Sequence, residues 1–110
     1  MMKQVWITRK GAPEVLKVRE TTDPVPKEGH IRIDVNFAGI NFADILARMG
    51  LYPDSPKVPC VVGYEVSGVV DEVGEGVHSD WIGKKVASIT RFGGYSSKVC
   101  VDVDQLMTLP

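Results

Sequence analysis

Hydrophobic and polar positions alternate most cleanly over residues 31–37. Ile31, Ile33, Val35 and Phe37 are separated by Arg32, Asp34 and Asn36. A period of two places the apolar set on one face of a strand. Shorter apolar runs at Gln4–Thr8, Leu16–Glu20, Lys85–Thr90, Tyr95–Val101 and Leu106–Leu109 predict further strands. The long valine-rich run Val61–Val73 predicts one or two buried strands. Glycine and proline punctuate these runs at Lys10–Pro13, Asp23–Gly29, Gly74–Gly76 and Gly93–Gly94, where turns and loops are expected.

Only Phe42–Met49 has helical spacing, with Ile45, Leu46 and Met49 on one face. Asn41 is a favourable N-cap, Asp44 falls in the first turn, and Gly50 is a fitting stop. Leu51–Pro59 carries three prolines and is expected to be irregular. Many short strands with one short helix predict a mainly β fold, a small barrel or sandwich.

Composition narrows the function classes. The chain has 110 residues, enough for one domain, with 44% hydrophobic and 25% charged residues. A net charge of -1 gives no electrostatic case for nucleic acid or an anionic membrane surface. No apolar run approaches the ~20 residues of a membrane helix. Arg9 and Lys10 interrupt any signal-peptide core, so a cytoplasmic address is expected. Cys60 and Cys100 stand far apart, outside any CxxC pair, and are expected to be reduced thiols, though one disulfide stays open. His30 and His78 read as surface histidines.

Three segments, in order, carry a resemblance. They are Phe37–Asp44 with Arg48–Pro53; Val62–Val70 with Val73–Val77; and Gly83–Val86 with Gly93–Ser96. Together they resemble the N-terminal part of medium-chain dehydrogenases/reductases. The opening Gly11–Leu16 is similar to the quinone-oxidoreductase branch, vesicle-membrane homologues included. The resemblance implies a GroES-like, partly open β-barrel and a zinc-independent, NADPH-dependent reductase of quinones or α,β-unsaturated carbonyls. Residues 1–110 would be its catalytic domain. The Rossmann domain that holds most of the cofactor would lie outside this chain, which ends just after an apolar run as though a continuation were missing. Gly74-Glu75-Gly76 is too short for a dinucleotide fingerprint, so the chain alone is expected to bind NADPH poorly and to be inactive.

The resemblance also bears on metal. Asn41 stands where zinc-dependent relatives place a cysteine ligand, and Tyr64 where they place a histidine. Neither is a good zinc ligand, and the structural-zinc cysteines are absent, so no metal is expected. Asn41 and Tyr52 are the implied catalytic groups, orienting and polarising the acceptor oxygen. Asn41, Phe42, Asp44, Tyr64 and Glu65 are the implied cofactor-side residues. Each has a plainer reading as well: helix cap for Asn41, loop packing for Tyr52, strand packing for Tyr64. Asp44 can pair with Arg48 on the helix. Glu65, inside an apolar run, is expected to need a buried partner such as a backbone donor, Arg48 or Arg91. A non-catalytic GroES-like protein-binding module is the alternative function.

Overall fold

The computed structural model describes residues 1–39, 42–51, 57–90 and 92–109, the side chains of Phe42, Ala43 and Leu46 excepted. The described residues form seven strands: β1 (Met2–Ile7), β2 (Leu16–Thr21), β3 (His30–Ala38), β4 (Glu65–Val73), β5 (Lys85–Ile89), β6 (Lys98–Asp102) and β7 (Met107–Thr108). Among the described residues one α-helix, α1, spans Phe42–Met49 as the spacing predicts. Gly50 ends it at φ +78°, a left-handed conformation that suits glycine, with its amide bonded to the Ala47 carbonyl.

All strand pairings are antiparallel. β1 and β2 make a two-stranded sheet, and the rest form a five-stranded sheet in the order β6-β3-β4-β5-β7. The two sheets stay open and are not closed into a barrel, which agrees with the mainly β, partly open architecture expected. They meet through a few bonds: Val5 N–H to the Tyr95 carbonyl, Ser97 N–H to the Lys3 carbonyl, and a reciprocal pair between Ile7 and Cys60.

The apolar residues divide into two clusters. Ile31, Ile33, Val66, Val70, Val86 and Val101 line the inner face of the large sheet. Ile7, Val15, Ala47, Cys60 and Val62 pack beneath α1. The two cysteines are free.

Two readings change. Phe37 belongs to the inward set by alternation, yet it is 75% exposed. Between Val35 and Phe37 the β3–β4 register slips, so that Val35 faces Gly68 and Phe37 faces Ser67. The extra residue is a bulge that reverses the faces, and Ala38 takes the inward place instead. The apolar run from Val61 enters the ladder only at Glu65, because the backbone of 61–63 bonds to the 93–95 turn rather than to a strand.

Candidate functional site

Two glycines tie the segments around the site together. The Gly39 amide donates to the Glu65 carbonyl at 3.1 Å, bringing the end of β3 against the start of β4. Gly63, with φ +119°, crosses Gly94 so closely that a Cβ there would lie 2.7 Å from the Tyr95 nitrogen. Gly94 N–H bonds to the Gly63 carbonyl, Tyr95 N–H to Val62, and the Thr90 hydroxyl to Gly63 at 2.6 Å. This knot fixes residues 62–65 relative to Thr90 and residues 93–95.

Asp44 looks into the molecule from the first turn of α1. It is only 4% exposed, and its Oδ2 accepts the Tyr95 hydroxyl proton at 2.6 Å. Burial, then the bond to Asp44 and its charge, push the Tyr95 phenol far above its ordinary ionisation. Arg48 sends its Nε to the Gly11 carbonyl at 3.1 Å.

Tyr64 packs its ring on Phe92, centroids 5.5 Å apart. Glu65 is exposed, which corrects the expectation of a buried carboxylate. It opens β4 on the outer face, and its side chain lies over the bare backbone of Gly39. Solvent hydrates it there, so no partner is demanded.

Asp44, Tyr64 and Glu65 therefore sit on segments tied together at Gly39 and Gly63, but they open in different directions. Asp44 lines a largely apolar cavity of about 500 Å³ with Val5, Ile7, Leu16 and Tyr95. Glu65 lines a shallower hollow of about 260 Å³ with Phe37 and Ile89. Asn41, Tyr52, Arg91 and the side chain of Phe42 lie outside the described residues. Sequence reasoning missed the role of Tyr95. It was noticed only within the Gly93–Ser96 motif, and nothing local marks a partner fifty-one positions away.

Among the described residues no group of three or more His, Cys, Asp or Glu side chains gathers as a metal site. Tyr64 and Glu65 offer a phenol and a carboxylate, with the aromatic ring of Phe92 beside them. Neither group supplies the cations or clustered backbone amides that a cofactor's pyrophosphate needs. No helix among the described residues is long and apolar enough to cross a membrane.

Comparison with known proteins follows the same lines. Residues 27–110 match the family model described as the alcohol dehydrogenase GroES-like domain. The quinone oxidoreductase of Salmonella typhimurium is 38% identical over 111 residues, covering 100% of this chain and 34% of that protein. The crystal structure of the human synaptic vesicle membrane protein VAT-1 homolog-like protein superposes with a TM-score of 0.92 at 30% identity, over 99% of this chain and 35% of that one. Escherichia coli quinone oxidoreductase complexed with NADPH superposes with a TM-score of 0.88 at 36% identity, over 98% of this chain and 33% of that one. The chain spans 34% of the length of that Salmonella protein and 26% of the length of the human VAT-1 homolog-like protein.

Proposed function

The chain belongs to the alcohol dehydrogenase GroES-like domain family, and from that premise we propose that it is the catalytic domain of an NADPH-dependent oxidoreductase acting on quinones or α,β-unsaturated carbonyls. A separate Rossmann domain would hold most of the cofactor. The observation that carries the reading is the likeness, at 36% identity and across nearly the whole chain, to a quinone oxidoreductase complexed with NADPH.

In this reading NADPH, when bound, supplies hydride to an electrophilic carbon or quinone ring. The chain's own residues bind, orient and shield. Asn41, Phe42, Tyr64 and Glu65 are the groups assigned to the nicotinamide side. Asn41 and Tyr52 are assigned to the acceptor oxygen, an amide and a phenol placed to donate hydrogen bonds as negative charge develops. Asp44 acts from behind: bonded to Tyr95, it holds the first turn of α1. No zinc is assigned, and the reaction is placed in the cytoplasm.

A domain graft tests this. This chain replaces the corresponding third of the Escherichia coli quinone oxidoreductase, and NADPH oxidation is followed with a small quinone and with an enone. The graft is expected to turn over one of them, and the 110-residue chain alone neither. Asn41→Ala or Tyr52→Phe in the graft should lower kcat by about 10²-fold. A folded graft that binds NADPH yet reduces neither acceptor would sink the reading.

A further inference from the structure

Phe92 stands outside the residues assigned to the reaction, yet its ring meets one of them. It lies between β5 and β6, half-buried, and packs against the apolar cluster of Ile7, Val15, Ala47, Cys60 and Val62. The same ring touches Tyr64, with centroids 5.5 Å apart and planes inclined at 58°. A tilted arrangement at this separation is one that aromatic pairs favour. Phe92 therefore bridges the core and Tyr64.

The chain around Phe92 is bound to the chain around Tyr64. Thr90 N–H donates to the Tyr64 carbonyl at 2.8 Å, and Gly93 N–H to the Val61 carbonyl at 3.1 Å. Gly94 N–H reaches Gly63 at 3.1 Å and Tyr95 N–H reaches Val62 at 3.0 Å. These bonds set where the backbone of Tyr64 lies. They do not set its side-chain torsions, which depend on what the ring packs against. Gly63, directly before Tyr64, has no side chain to press on the ring, and Glu65, directly after it, is exposed. Phe92 supplies a contact from a segment that is itself pinned.

We infer that Phe92 is a positioning residue: its ring, anchored on the core, holds the Tyr64 ring in the orientation in which Tyr64 meets the nicotinamide side of the cofactor. This rests on the proposed assignment of Tyr64 to that side. The worth of one aromatic contact, roughly two- to twelve-fold in an equilibrium, bounds the effect.

The first measurement is nuclear magnetic resonance of the 110-residue chain. Ring protons of Tyr64 and Phe92 are expected to show through-space contacts. Phe92→Leu should shift the Tyr64 ring resonances and leave the amides of β3 and β4 in place. The second uses the graft, with NADPH affinity read from nucleotide fluorescence, which needs no turnover. Phe92→Leu should weaken NADPH binding about five-fold and change kcat at saturation by less than about two-fold. Phe92→Tyr keeps the ring and should bind NADPH like the parent graft. In a Tyr64→Leu background the contact is already gone, so Phe92→Leu should cost no further affinity. A merely structural loss would add in full. Absence of ring contacts in the chain, or a Phe92→Leu graft that binds NADPH as tightly as its parent, overturns this inference alone. Additive losses in the double variant do the same and leave Phe92 a core residue. A parent graft that does not bind NADPH overturns the proposed function and this inference together.

Discussion

The Tyr95–Asp44 bond is the most consequential single contact in the structure. A buried carboxylate that loses a donor keeps its desolvation cost, so Tyr95→Phe is expected to destabilise the chain by about 1–3 kcal/mol at neutral pH. The same pair gives a pH dependence. The folded Tyr95 ionises later than the unfolded tyrosine, because burial and the Asp44 bond favour its protonated form. Its contribution is therefore complete below about pH 10, the ordinary tyrosine value, and is lost as pH rises toward the raised folded value. Urea unfolding followed from neutral to alkaline pH should show stability falling above about pH 10. Tyr95→Phe should be less stable at neutral pH and should lose the part of that slope that belongs to this group. An unchanged alkaline slope would show that the phenol is not held as described.

Residues also show why some of the site was legible and some was not. Asp44 was readable as a first-turn acid, since helix periodicity needs only neighbours in sequence. Its burial was not, because the group that satisfies it comes from the far side of the fold. Glu65 was misjudged for a related reason. Apolar neighbours on both sides suggest burial, but in a strand alternate positions face opposite ways, and Glu65 falls on the solvent side. Phe37 was misjudged because a bulge costs one residue and leaves no signature in hydrophobicity.

At the level of elements, α1 was predicted to its ends, because capping and stop signals lie beside it. The strand cores were predicted too, while the β4 start was not, since bonding to a turn and bonding to a ladder look alike in an apolar run. The elements are held in register by polar contacts on the outer face. Asp71 on β4 accepts from Arg32 Nε on β3 at 2.7 Å and from Lys98 Nζ on β6. Burial pushes the Asp71 carboxyl up, but the bonds and charges of Arg32 and Lys98 outweigh it and hold the value below the ordinary carboxylate range. A depressed folded value means stability present above about pH 4 and lost as pH falls through the folded value. Asp71→Asn should cost about 1 kcal/mol at neutral pH, the upper end for a network that solvent still reaches. It should also flatten the acid limb of a stability–pH curve.

Two glycines of the site make a second element-scale contrast. A Cβ on Gly63 meets the backbone of Gly94 and Tyr95 at a positive φ, and neither can yield without opening the knot. A Cβ on Gly39 meets only the Glu65 side chain, which is exposed and can swing away. Thermal unfolding should therefore find Gly63→Ala destabilised by about 2–4 kcal/mol and Gly39→Ala by less than about 1 kcal/mol. Equal losses would mean that Glu65 is fixed in place and that the hollow beside it is preformed.

The whole molecule is two sheets that share little. β1 reaches the 60 and 95–97 segments through main-chain bonds, but β2 pairs with β1 alone, and its residues are almost all exposed. Between this hairpin and α1 lies the cavity of about 500 Å³, space that side chains do not fill. The alternation of strands in the sequence could indicate a partly open barrel; it could not say where the opening falls, because that depends on which edges find partners. Stability should follow the same division, since a unit opens at a cost set by its buried apolar contacts and shared bonds. The β2 amides that bond to β1 should exchange with solvent at opening free energies at least about 2 kcal/mol below those of β3 and β4, whose valine and isoleucine side chains form the larger core. Native-state hydrogen exchange resolved by residue measures this directly. Uniform protection across all strands would mean that the hairpin and the five-stranded sheet open as one cooperative unit, and that the cavity beside the hairpin does not mark a weak seam.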